Sequence, residues 1–145
     1  MTKAYEIKLS KVQGTEAISE TISKSEDAER FARKFYGDDL GIYESTFMIV
    51  LNRANKIIGW TKVSQGGTCD CTWDVKIIAK IAVDSLASAV IFVHNHPSGT
   101  THPSAEDKKV TEKAKNALAL FDIRTLDHII LTESGYYSMS DNGLL

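Results

Sequence analysis

Two of the four histidines in the chain, His94 and His96, stand two residues apart just after the apolar run AVIFV (89–93), and Pro97 and Gly99 follow them. On a strand this spacing sends both imidazoles to one face, about 7 Å apart along the chain, where a metal ion can bridge them. The pair alone is equally a strand end that happens to carry two histidines, and a metal needs a third ligand. Ser104-Ala105-Glu106-Asp107 offers a hydroxyl and a carboxylate. Ser-x-x-Asp ahead of a helical apolar run is also a helix cap. Taken together the two signals are specific: from this composition, His-x-His-Pro followed after six residues by Ser-x-x-Asp arises by chance with a probability on the order of 10⁻⁵.

The elements that must position these residues can be read from periodicity. SAVIFVHN (88–95) is apolar at both parities, as a central strand covered on both faces should be. Val110, Ala114, Ala117, Leu118 and Phe121 share one face of a helix expected over 104–120, with Lys108, Lys109, Lys113 and Lys115 on its solvated side. Val75, Ile78, Ala79, Ala82, Val83 and Leu86 mark an earlier amphipathic helix over 74–86. Residues 43–52 and 56–65 are β-rich runs joined by Arg-Ala-Asn, the pattern of an antiparallel hairpin, with Gly66 and Gly67 ending its second strand. Ser23 and Glu26 have capping-box spacing before a first helix over 25–36 built on Ala28, Phe31, Ala32 and Phe35. Tyr5, Ile7 and Leu9 alternate as in an edge strand over 4–12, and TLDHIILT and GYYSMS read as two last strands flanking Glu133-Ser134-Gly135. The alternation of strands and helices, without repeats or linkers, predicts one α/β domain with a sheet layered against helices.

Composition narrows the function classes. The chain has 145 residues, 43% hydrophobic and 25% charged, which is enough to build one core without disulfides or a structural metal. No apolar run reaches the 18 or more residues of a membrane span. The N-terminal residues lack the hydrophobic stretch of a signal peptide, which points to the cytoplasm. Cys69 and Cys71 are too close for a mutual disulfide and too few for a cysteine-based zinc site, as expected of free thiols in a reducing compartment. A net charge of -2 lacks the electrostatic footprint of a dedicated nucleic-acid binder.

His94-Asn95-His96-Pro97 and, six residues on, Ser104-Ala105-Glu106-Asp107 resemble the JAMM motif of the JAB/MPN metallohydrolases. HNHPSG, the following Pro-Ser-x-x-Asp and LDHIIL (126–131) resemble the bacterial RadC branch, named for DNA repair, over roughly residues 25–143. The resemblance implies a mixed β-sheet between helices, akin to the cytidine-deaminase fold, in a domain spanning 25–145 behind an N-terminal strand and loop over 1–24. It also implies one zinc per chain on His94, His96 and Asp107, with water in the fourth position, and Glu44 as general base. Spacing alone does not single out Glu44 among the glutamates.

Two imidazoles and one carboxylate leave zinc a net positive charge and an open position, the arrangement of a catalytic site. Water there becomes acidic enough for a carboxylate to take its proton during attack on a carbonyl. The serine of JAMM enzymes stabilises the oxyanion, so the resemblance implies that role for the Ser104 hydroxyl, and capping by the same group is compatible with it. The implied activity is hydrolysis of a peptide, isopeptide or related amide bond, since eukaryotic JAMM members cleave ubiquitin isopeptides. The competing reading is a DNA-repair factor without hydrolytic activity. Against it, full-length RadC proteins carry a helix-hairpin-helix-like N-terminal region, whereas about forty residues precede Glu44 here. His-x-Glu with Pro-Cys-x-x-Cys, the deaminase signature, and His-Glu-x-x-His, that of zincins, are both absent from the sequence. His102 reads as an exposed loop residue, and His128 as a buried hydrogen-bonded histidine beside Asp127.

Overall fold

Every residue of the strand β3, Ala89–Asn95, is buried, because helices cover both faces of the sheet at whose centre it lies. The computed structural model describes residue 4, residues 20–66 and residues 73–145. In chain order the elements are α1 (Ser25–Ala32), a 3₁₀ turn (Asp38–Gly41), β1 (Ser45–Leu51), β2 (Ile57–Gln65) and α2 (Val75–Asp84). After β3 come α3 (Ala105–Ala119), β4 (Arg124–Leu131) and β5 (Tyr136–Ser138). The strand order is β2-β1-β3-β4-β5, with β3 and β4 parallel and the other pairs antiparallel. This is the expected mixed sheet. Among the described residues no helix is long and apolar enough to cross a membrane.

Alternation sorts side chains between two cores. Phe47, Ile49, Leu51, Ile91, Val93, Ile129 and Leu131 pack with Ala28, Phe31 and Ala32 of α1. Met48, Val50, Val90 and Phe92 face the other way, against Ile78 and Ala82 of α2 and Ala114 and Leu118 of α3. His94 follows Val90 and Phe92 in the same parity, so it emerges beneath α3 at the end of a rigid strand.

Several local expectations are corrected. The cap of α1 is built by Asp27, whose Oδ2 accepts from the backbone N–H groups of Ser23 (2.9 Å) and Lys24 (3.1 Å), in place of a Ser23/Glu26 box. That helix stops at Ala32, short of 36, yet Tyr36 stays buried because its hydroxyl donates to the Ser45 carbonyl at 2.8 Å. In the second helix Asp74 caps the first turn, and Leu86, at φ 53° and 65% exposed, lies past its end. Phe121 is likewise 54% exposed, and Thr111 joins Ala114 and Leu118 on the buried face of α3. The hairpin forms as expected; Asn52 Oδ1 accepts from the N–H groups of Ala54 and Lys56 and so closes the turn. The strand expected from Tyr5, Ile7 and Leu9, together with Gly67, Cys69 and Cys71, lies outside the described residues.

Candidate metal centre

Three elements deliver the cluster. β3 ends in His94-Asn95-His96, and the antiparallel register that pairs Thr46 with His94 carries Glu44, two residues earlier, toward His96. Asp107 sits in the first turn of α3, where a reciprocal cap fixes it: its Oδ2 accepts from Ser104 N–H at 2.7 Å while Ser104 Oγ accepts from Asp107 N–H at 3.0 Å. The cap reading of Ser-x-x-Asp holds, and the cap leaves the Asp107 carboxylate beside both histidines.

The polar atoms converge. His94 Nε2 and His96 Nε2 are 2.8 Å apart. Asp107 Oδ1 lies 3.2 Å from the first and Asp107 Oδ2 3.2 Å from the second. Glu44 Oε1 stands 3.6 Å and 3.9 Å from the same two nitrogens. Glu44, His94 and His96 can each offer one ligand atom within 4.8 Å of the others. The sequence-predicted residues Glu44, His94, His96, Ser104 and Asp107 are thus brought to one place.

Asn95, which sequence reasoning missed, sits between the two histidines and points to the opposite side. Its Nδ2 donates to the carbonyls of Leu40 (2.8 Å) and Tyr43 (2.7 Å), and its Oδ1 accepts from Ser45 N–H (2.9 Å). The amide therefore grips the backbone on both sides of Glu44. A deeper layer backs the cluster: His128, fully buried on β4, reaches His94 Nδ1 at 2.7 Å with its Nε2 and Thr111 Oγ1 at 2.6 Å with its Nδ1. The expectation of a buried, hydrogen-bonded His128 holds. Trp73 closes this layer, donating from Nε1 to Thr46 Oγ1 at 3.0 Å with its ring 5.1 Å from that of His128.

The electrostatics draw in positive charge. Burial works against a charge on His96, but its bonds to Asp107 and the Thr100 carbonyl, with the nearby carboxylates, outweigh it and hold the imidazole above its ordinary value. Burial also disfavours the Asp107 carboxylate, yet the imidazoles of His94 and His96 beside it hold that group well below the usual carboxylate range. At His128 burial, reinforced by His94, pushes protonation well below the ordinary imidazole value.

The donor set fits a divalent ion. Two imidazole nitrogens and the Asp107 carboxylate present donor atoms of the kinds such an ion takes, with the Glu44 carboxylate beside them. A tetrahedral ion with bonds of 2.0–2.1 Å holds its ligand atoms about 3.3 Å apart. Among His94, His96 and Asp107 the separations are 2.8 Å, 3.2 Å and 3.2 Å, near that value.

The cluster opens into a cleft of about 1100 Å³ walled by Trp73, Val75, Pro97, Pro103 and Val110. Lys109 and Lys113 also line it, so two of the lysines expected on a solvated helix face belong to the cleft wall. His102 lines the cleft too, with its ring 5.8 Å from that of Tyr137.

Comparison with known proteins follows the same lines. The family model of the RadC-like JAB domain matches residues 22–144. The chain is 37% identical over 123 residues to a UPF0758 protein of Flavobacterium johnsoniae, covering 85% of this chain and 53% of that protein. It is 42% identical over 103 residues to a UPF0758 protein of Porphyromonas gingivalis, covering 70% and 45%. A UPF0758 protein of Neisseria meningitidis is 35% identical over 102 residues, covering 70% and 45%. The chain spans about half the length of the curated relatives it matches, and their names state no reaction.

Proposed function

This chain belongs to the RadC-like JAB-domain family, and from that premise we propose that it is a zinc-dependent hydrolase of a peptide, isopeptide or related amide bond. The observation that carries the reading is the convergence of two imidazole Nε2 atoms and two carboxylates at the end of a cleft large enough for a substrate. In this reading His94, His96 and Asp107 hold the ion, as the JAMM resemblance implies, and the 3.2 Å approach of Asp107 to both nitrogens supports that choice. A zinc ion held there supplies Lewis acidity, which makes water acidic and polarises a carbonyl.

The chain's own residues supply the rest. Glu44, close to the ligands yet further out than Asp107, accepts the proton from the attacking water and returns it to the leaving amine. Ser104 uses an oxygen lone pair for its cap and keeps its hydroxyl proton, which it donates to the substrate oxygen as charge develops. Trp73, Val75 and Val110 give the cleft an apolar wall, which removes water from around the substrate. Lys109 and Lys113 favour a substrate with an acidic group beyond the bond that is cut.

The test joins metal content to turnover. Wild-type protein loaded with zinc and desalted should hold one ion per chain, and the His94→Ala/His96→Ala double variant none. Glu44→Gln should keep the ion and lose hydrolysis of whichever substrate emerges from a screen of peptide, isopeptide and other amide libraries. Equal metal in wild type and double variant refutes the site. Full activity in Glu44→Gln free of wild-type enzyme removes Glu44 from the reaction.

A further inference from the structure

The layer behind the ligands ends on an acceptor that has no proton to give, and this orders every hydrogen in it. Thr111 Oγ1 lies 2.6 Å from the backbone carbonyl oxygen of Asp107 and 2.6 Å from His128 Nδ1. A carbonyl only accepts, so the proton on the first contact is the threonine's own. Its oxygen must then accept on the second contact, which puts the hydrogen of His128 on Nδ1. That leaves a lone pair on His128 Nε2, which faces His94 Nδ1 at 2.7 Å. His94 Nδ1 must carry the hydrogen in turn, and its own lone pair falls on Nε2, the atom that faces Asp107 and His96.

We infer that Thr111 and His128 are positioning residues that lock His94 in the tautomer able to bind metal through Nε2. This rests on the metal-site reading proposed above. The opposite tautomer would aim a hydrogen into the cluster and remove one ligand. The chain of bonds also closes on itself. Asp107 supplies the terminal carbonyl through its backbone and meets His94 Nε2 again through its carboxylate, so one turn of α3, from 107 to 111, sets both ligands at once. His96 is set separately, since its Nδ1 donates to the Thr100 carbonyl at 2.6 Å in the loop. Trp73 and Phe92 pack around the His128 ring, with centroids 5.1 Å and 6.4 Å away, and hold its orientation.

The experiment reads tautomers directly. Two-bond nitrogen–proton NMR correlation on the metal-free full chain, labelled at histidine and held at about pH 8.5, roughly two pH units above the ordinary imidazole value, distinguishes Nδ1–H from Nε2–H. Wild type should show Nδ1–H at His128 and at His94. Thr111→Val, of matching shape, removes the acceptor; it should redistribute the His128 and His94 tautomers, leave His96 unchanged, and weaken zinc binding about 10- to 100-fold in competition with a chromophoric chelator. Thr111→Ser should restore both readouts. A wild-type spectrum with Nε2–H at either His94 or His128 overturns the proposal, even if Thr111→Val fails to fold. So does a folded Thr111→Val with wild-type spectrum and zinc affinity. Failure of the metal-site reading appears separately, as a wild type that takes up no zinc.

Discussion

Replacing Asn95 by alanine should separate the placement of Glu44 from the placement of the metal ligands. The side chain is fully buried and makes three hydrogen bonds, two to the carbonyls of Leu40 and Tyr43 and one from Ser45 N–H. At about 1 kcal/mol net for each, their loss costs about 3 kcal/mol, and more if the stranded backbone groups stay out of reach of water. For a domain of this size, that lowers Tm by roughly 10 °C and leaves the protein folded. His94 and His96 are held by β3 and by bonds to His128 and Thr100, none of which involve the Asn95 amide. Zinc affinity should therefore change by less than about threefold, whereas release of the segment around Glu44 should lower kcat about 10²-fold, as misplacement by about 1 Å can do. The assays are calorimetric melting, chelator competition and single-turnover kinetics on the substrate found by screening. A Tm change below about 2 °C with unaltered kcat refutes the clamp. A collapse of zinc affinity in parallel with kcat refutes the division of labour between Glu44 and the ligands.

Three further outcomes are expected. Ser104→Ala should lower kcat by about 10²-fold through loss of the oxyanion donor and cost about 1 kcal/mol through loss of the cap; Ser104→Gly, which keeps most of the capping preference, separates the two in paired rate and melting measurements. Burial raises the Asp127 carboxyl above its ordinary value in spite of its bonds from Ser138, Ser140 and His128. The folded state therefore binds the proton more tightly than the unfolded one, and this contribution to stability is full below about pH 4 and is lost as pH rises through the folded value; Asp127→Asn should flatten that part of a Tm–pH profile. With a net charge of -2, the chain should bind duplex DNA no more tightly than roughly 10⁻⁴–10⁻⁶ M at physiological salt, and anisotropy showing nanomolar affinity that survives 0.2 M salt would move the repair reading ahead of hydrolysis.

The strands and helices were legible because burial on both faces writes unbroken apolar runs such as AVIFV, and burial on one face writes periodic stripes. Their ends were less legible. Asp27 in place of Glu26 at the α1 cap, and Leu86 beyond α2, differ from expectation because a cap depends on which carboxylate reaches a free N–H, which spacing limits but does not decide. At the candidate site, local spacing singled out His94, His96, Ser104 and Asp107 as one constellation, and the resemblance supplied their roles. Glu44 needed a resemblance, since its approach is made by the pairing of β1 with β3 rather than by nearness in sequence. Asn95 and Thr111 left no chemical signature: each binds backbone groups far along or buried within the fold, and a lone Asn or Thr suits many other uses.

The residues of the proposed site are also held together by the fold itself. Three elements of different origin meet there, the entry to β1, the end of β3 and the first turn of α3, and each is tied by a bond that no metal provides. Asn95 binds the entry to β1, the Ser104–Asp107 cap sets the helix, and the His94–His128–Thr111 chain joins β3 to β4 and α3. Packing around β3, all of whose seven residues are buried, and the attraction that lifts His96 and depresses Asp107 keep the cluster together. On the proposed reading an ion would need little ordering of its ligands, and the cluster faces the cleft whose wall includes both Glu44 and Ser104.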